Sequence, residues 1–139
     1  MITVLDASAA VEIALNLEKA ELFKKCINEA DLVLAPNTYP SEICNVFWKY
    51  QNFSKLDAGK CGKGIDYCID LIDDFVDTTL MCREVYGEAV KYKHPVYDLF
   101  YLVLARRQNA TLITKDKKMQ LIATDRKSTR LNSSHGKLS

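Results

Sequence analysis

The chain has 139 residues, 48% of them apolar and 27% charged, with a formal net charge of +1, which is the size and composition of one ordinary globular domain. No run approaches the roughly 20 apolar residues that span a bilayer, and the opening Ile2-Thr3-Val4-Leu5 is strand-like rather than a basic segment with a signal-peptide core, so a single cytoplasmic domain is expected. With so little net charge, any binding of nucleic acid has to rest on local charge or a metal ion.

Ile2 to Leu5 reads as a buried parallel strand and Ala7 to Asn16 as a helix, with Asp6 at the junction. Glu18 to Ala30 carries helical spacing in Ala20, Leu22, Phe23, Cys26 and Ile27, and Leu32 to Ala35 is a second strand stopped by Pro36-Asn37. Pro40 opens a helix from Ser41 to about Phe53 that puts Ile43, Val46, Phe47 and Tyr50 on one face and Glu42 in its first turn. The Lys- and Gly-rich stretch Ser54 to Gly64 reads as a mobile loop or short helix, Ile65 to Phe75 as helical, and Val76 to Leu80 as a third short strand. Met81 to Lys91 is amphipathic. Pro95 marks the start of the most apolar helix, Val96 to Arg107, which should lie against the sheet with Asp98 near its N-terminus. Thr111 to Thr114 is a strand, Asp116 follows it, and a last helix runs from Lys117 to Ala123. Strands alternating with helices predict a three-layer α/β/α sandwich around a mainly parallel, Rossmann-like sheet.

Asp6, Glu42, Asp98 and Asp116 each stand where a strand has just ended or a helix has just begun, so an open α/β sheet brings them to one crevice at its carboxyl edge. Converging carboxylates repel, and the fold must then protonate some of them or supply a cation. Oxygen donors without a His or Cys ligand set suit Mg²⁺ or Mn²⁺, and hydrolysis of a phosphodiester fits that arrangement. Each acid also has a plainer reading: Glu42 and Asp98 as helix-dipole partners, Asp6 as an N-cap, Asp116 as a turn residue.

The segments ITVLDASAAVE, LAPNTYPSEICNVFWK and HPVYDLFYLVLARRQNATLITKDKKM resemble the PIN domain, specifically the VapC type of toxin ribonuclease, over residues 1 to about 123. The resemblance implies an Mg²⁺- or Mn²⁺-dependent endoribonuclease acting on structured RNA such as tRNA or rRNA, held inactive by a VapB-like antitoxin and forming a homodimer. It implies Asp6, Glu42 and Asp98 as primary metal ligands, with Asp116 completing the site directly or through water and Ser8 and Thr114 supporting them. Asn45, one helical turn beyond Glu42, is expected either to support that acid or touch an RNA phosphate, or to be a partly buried amide satisfied by backbone.

Lys115, Lys117 and Lys118 flank Asp116, and Arg106-Arg107 close the helix of Asp98; they are candidates for RNA phosphates, against a reading as solvated loop lysines and dipole-stabilising arginines. Tyr39, Phe47, Trp48 and Tyr50 read as core or interface, some lining a groove for an antitoxin. His94 reads as a surface loop residue, with a general-acid role as the sharper alternative. The five cysteines, Cys26, Cys44, Cys61, Cys68 and Cys82, show no CxxC pair or zinc-type spacing and read as reduced, mostly buried thiols. Two competing functions are a non-catalytic PIN-like module binding antitoxin or RNA, and an aspartate phosphoacceptor, which fits less well because Asp6 has no adjacent acid.

After Thr124 the chain turns polar and basic, without periodicity, and residues 125–139 resemble the in-frame translation of a common DNA-sequencing adapter. The reading is therefore a nuclease domain at 1–124 and a non-native, disordered tail at 125–139, the natural product continuing past Thr124 with a closing edge strand among the residues it adds. The tail holds four Lys or Arg and one Asp, so subtracting these from the 19 basic and 18 acidic residues leaves 15 against 17, about −2.

Overall fold

The computed structural model describes residues 1–126, 130–133 and 136–138, the last two segments as backbone alone. Four parallel strands form the centre: β1 (Ile2–Leu5), β2 (Leu32–Pro36), β3 (Asp74–Val76) and β4 (Thr111–Ile113), in the order β3-β2-β1-β4. β1 is the middle of this sheet, and Thr3, Val4 and Leu5 are buried on both faces, which explains its continuous apolar character. Helices cover it in two groups. Contacts join α1 (Ala7–Ala14) to α2 (Ala20–Glu29), α3 (Tyr39–Phe53) and α4 (Ala58–Asp70), and a second set links α6 (Val96–Arg107) to α5 (Cys82–Tyr92) and α7 (Lys117–Arg126). The three-layer α/β/α sandwich expected from the sequence is thus the observed fold.

α6 lies on β1, β2 and β4, with Leu99 and the run Tyr101 to Ala105 buried, as its unbroken apolar sequence requires. On the other side Phe23, Ile43 and Phe47 are fully enclosed, each worth about 1.5–3 kcal/mol of hydrophobic transfer. Tyr39 is core, its hydroxyl donating to Cys68 O at 2.7 Å.

The region between α3 and β3 departs from the sequence reading. Asp57 caps α4 through Lys60 N at 3.1 Å, so most of the Gly-rich stretch is helical, and the helix ends at Asp70. The third strand comes earlier than expected, at Asp74–Val76, and Thr78–Leu80 is a 3₁₀ turn. Helix propensity pointed the other way at Gly59, Gly62 and Gly64, but Gly64 is selected by packing: a Cβ there would stand 2.5 Å from Phe47 Cζ. The absent side chain lets α4 close on α3.

Past Thr124 the chain also differs from expectation. α7 continues to Arg126, and the backbone of Arg130–Ser133 forms β5 parallel to β4, with Gly136–Leu138 as β6 antiparallel to β5. The edge of β4 offers a row of backbone donors and acceptors that an extended segment can satisfy whatever its side-chain pattern, so hydrophobic periodicity gives no warning of it. The thiols are less buried than expected, since Cys44 and Cys82 are exposed while Cys61 and Cys68 are enclosed. All five are free. Among the described residues no helix is long and apolar enough to cross a membrane.

Candidate active site

β1 and β4 are neighbours, yet the chain leaves them in opposite directions: from β1 into the helical group of α1, from β4 into that of α6 and α7. A parallel sheet opens a crevice at the carboxyl ends of two such strands. Asp6 ends β1 there, its backbone N–H donating to Ile113 O at 3.1 Å and so pinning the two strand ends together. Its side chain caps α1, Oδ1 accepting from Ala9 N at 3.0 Å and from the Ser8 hydroxyl at 2.7 Å, while Oδ2 accepts from the Thr114 hydroxyl. Thr114 Oγ1 in turn accepts from Asp116 N at 3.0 Å, and Asp116 Oδ1 caps α7 through Lys118 N at 2.8 Å and Met119 N at 3.3 Å. The capping role foreseen for Asp6 is real, and Asp116, expected as a turn residue, is a cap as well. They also orient the carboxylates, because a carboxylate has about four acceptor positions and neither group uses all of them.

Glu42 and Asp98 arrive from the first turns of α3 and α6. Tyr101, one turn beyond Asp98 on α6, donates its hydroxyl to Glu42 Oε2 at 2.5 Å and so ties the two helices at the crevice. Asp98, Asp116 and His94 come closest, with one ligand atom of each lying within 4.8 Å of the others. His94 Nε2 is 3.8 Å from Asp98 Oδ2, and Nδ1 is 2.9 Å from Pro95 O.

The electrostatics record the crowding. Burial pushes Asp6 up to about 6 despite the donors from Thr114, Ala9 and Ser8, and the charge of Asp98 adds to the rise. Glu42 is pushed up to about 7, first by burial and then by Asp6 and Asp98, with the Tyr101 hydroxyl opposing. Asp98 is raised by burial, by the charge of Asp116 and by a hydrogen bond that its protonated carboxyl donates to Asp116, with His94 opposing. All four acids expected from the sequence therefore share one electrostatic environment. Asp6 and Glu42 stand outside the tighter group formed by His94, Asp98 and Asp116.

Other expectations fare differently. Ser8 and Thr114 both donate their hydroxyls to Asp6, and Ser8 Oγ also accepts from Lys115 N at 3.2 Å. The Lys115 side chain is engaged elsewhere, its Nζ 2.9 Å from Oε1 of Glu12, a buried carboxylate whose Oε2 accepts from Lys19 N at 2.8 Å. Arg106 is paired with Glu88 at 2.5 Å, both side chains more than nine-tenths enclosed. Arg107 holds Glu84 at 2.9 Å and Leu80 O at 2.6 Å. Lys117 and Lys118 are exposed beside Asp116, and Asn45 is exposed rather than partly buried. Phe47 is core and Tyr50 half-buried, whereas Trp48 is exposed and stands edge-on to the exposed Phe53 at 5.7 Å. His94 corrects the reading as a surface residue, since its side chain is only 10% exposed and faces the carboxylates. Tyr101 was missed, although its spacing of three from Asp98 on a helix signals a shared face. Glu12 carried no signal, because its partner lies 103 residues away.

The chain matches the PIN domain over residues 3–125 and belongs to that family, whose members are generally nucleases. Two solved structures share its fold. PAE2754 from Pyrobaculum aerophilum superposes with a TM-score of 0.71 at 21% identity, covering 88% of this chain and 87% of that one. VapBC2 from Rickettsia felis, solved bound to a DNA fragment from its promoter, gives 0.64 at 16% identity and covers 96% of this chain and 98% of its own. No curated protein sequence matches the chain.

Proposed function

We propose that the chain is a metal-dependent endoribonuclease, the toxin half of a toxin–antitoxin pair, with residues 1–124 as its nuclease unit. The observation that carries the reading is the convergence of Asp6, Glu42, Asp98 and Asp116 on the crevice between β1 and β4, with protonation favoured at three of them by burial and mutual repulsion. Oxygen donors so crowded fit Mg²⁺ or Mn²⁺, and these four acids would hold the ion. A divalent ion there would lower the pKa of a bound water and neutralise charge on the phosphoryl oxygens and the leaving 3′ oxygen.

The protein's own part is positioning. Ser8, Ala9 N and Thr114 fix Asp6, Tyr101 fixes Glu42, and the caps on α7 fix Asp116, so the acids need little reorganisation when the ion enters. Lys117 and Lys118, exposed next to Asp116, are placed to meet the phosphates of a structured RNA such as tRNA or rRNA. Arg106 and Lys115, committed to Glu88 and Glu12, act through structure instead. A VapB-like antitoxin as partner is supported by the fold shared with VapBC2, and the exposed pair Trp48 and Phe53 offers it an apolar contact. Homodimerisation and a cytoplasmic location accompany this reading.

The test is RNA cleavage by the purified chain with Mg²⁺ or Mn²⁺. Cleavage is expected to stop with EDTA and to fall by at least about a hundredfold in Asp98→Asn, as for loss of a major electrostatic group. Undiminished cleavage in that variant would remove the mechanism. Binding of RNA or antitoxin without cleavage would favour the non-catalytic module.

A further inference from the structure

The four acids alone do not describe the crevice, because a nitrogen donor stands with them. His94 Nδ1 lies 2.9 Å from Pro95 O, and a carbonyl oxygen only accepts, so Nδ1 carries the hydrogen. In the neutral ring the lone pair is then on Nε2, on the side of the carboxylates. The His94 side chain is nine-tenths enclosed, and at 3.8 Å from Asp98 Oδ2 its Nε2 is too distant for a hydrogen bond. The Nε2 lone pair thus faces the oxygens of Asp98 and Asp116, all within 4.8 Å, where the two carboxylates repel unless they share a proton or a cation joins them.

A cation fits this arrangement. Two ligands each about 2.1 Å from one ion are roughly 3 to 4.2 Å apart, depending on the angle between them, and the observed 3.8 Å lies inside that range. The hydrogen bond from Nδ1 to a backbone carbonyl is the support that metal-binding histidines ordinarily have. The consequence concerns which ion is held: carboxylates alone suit Mg²⁺, whereas an imidazole nitrogen shifts preference towards first-row transition dications.

Resting on the metal-nuclease reading above, we infer that His94 Nε2 is a direct ligand of the divalent ion, beside Asp98 and Asp116, and that it makes the site select a transition dication over Mg²⁺. Mn²⁺ is the demanding probe because it is the weakest binder of that series.

The experiment is calorimetric titration of the full chain with Mn²⁺ and separately with Mg²⁺, for the wild type, His94→Gln, His94→Ala and Asp98→Asn, each first shown folded by circular dichroism. Wild type should prefer Mn²⁺. Both His94 variants should lose on the order of tenfold or more in Mn²⁺ affinity, by analogy with the loss of a ligand's support, with a smaller change for Mg²⁺. Pulsed electron paramagnetic resonance of the Mn²⁺-loaded protein should show coupling to an imidazole nitrogen that His94→Gln abolishes. Weakening of both ions by Asp98→Asn, with an unchanged Mn²⁺ to Mg²⁺ ratio in the His94 variants and no nitrogen coupling in wild type, would overturn the inference while sparing the metal site. Unchanged binding of both ions in Asp98→Asn would overturn the site and the inference together.

Discussion

Asp6→Asn isolates the electrostatic cost of assembling the acids. Burial, augmented by the charge of Asp98, raises Asp6 from the ordinary 3.8 to about 6 in the folded chain. The folded state therefore holds this proton more tightly than the unfolded one, so the associated stability is complete below about pH 3.8 and is lost as pH rises through about 6. At about 1.36 kcal/mol per pH unit, the loss by pH 8 is about 3 kcal/mol. Glu42 works in the same direction through about 7, and part of its rise is owed to Asp6. The asparagine is nearly isosteric, and its Oδ1 can still accept from Ser8 and Ala9 N. Its amide can donate to Thr114 Oγ1, so the change removes charge and little packing. Urea denaturation in EDTA, followed from pH 4.5 to 8, should show wild type losing stability as pH rises and the variant losing distinctly less. At pH 8 without metal the variant should be the more stable by up to about 3 kcal/mol, or about 10 °C in Tm for a chain of this size. Saturating Mn²⁺ should then favour wild type, since an ion at 1,000 times its Kd adds about 4.1 kcal/mol. A variant less stable than wild type at pH 8 in EDTA would show that Asp6 is a satisfied N-cap and that repulsion among the acids is absent.

Gly64→Ala should destabilise by about 1–3 kcal/mol in denaturant titration because its methyl group meets the Phe47 ring, whereas Gly62→Ala, with open space at its Cβ, should stabilise by about 0.5–1 kcal/mol. Arg106→Ala should cost about 3–5 kcal/mol by leaving Glu88 charged in an enclosed place, yet leave Mn²⁺ affinity unaltered; a selective loss of RNA binding with full stability would instead return Arg106 to the substrate. Tyr101→Phe should lower stability by about 1–2 kcal/mol and move the ionisation of Glu42 further up, read from carbonyl chemical shifts during a pH titration.

The layers of the fold were legible because β1, β2 and α6 carry long, unmixed apolar signals, and the bounds of α6 follow from Pro95 at one end and Arg106-Arg107 at the other. α4 and β3 were displaced because their signals are tertiary: three glycines oppose a helix that Phe47 nevertheless holds, and β3 has only three residues, two of them exposed. The placement of the acids was readable for a topological reason, since residues that follow parallel strands or begin the next helix must gather at one edge of the sheet. Which side chains reach one another was not readable. Arg106 finds Glu88 on α5, Lys115 finds Glu12 on α1, and His94 turns inward because its Nδ1 is held by Pro95 O, pairings that no spacing along the chain encodes.

If these acids gather to hold a divalent ion, the ion must be seen among them. Anomalous diffraction from crystals soaked in Mn²⁺ tests it most directly. A manganese peak bonded to Asp98 and Asp116, in the crevice lined by Asp6 and Glu42, is the predicted result; the same carboxylates well ordered in saturating Mn²⁺ with no peak among them would contradict it.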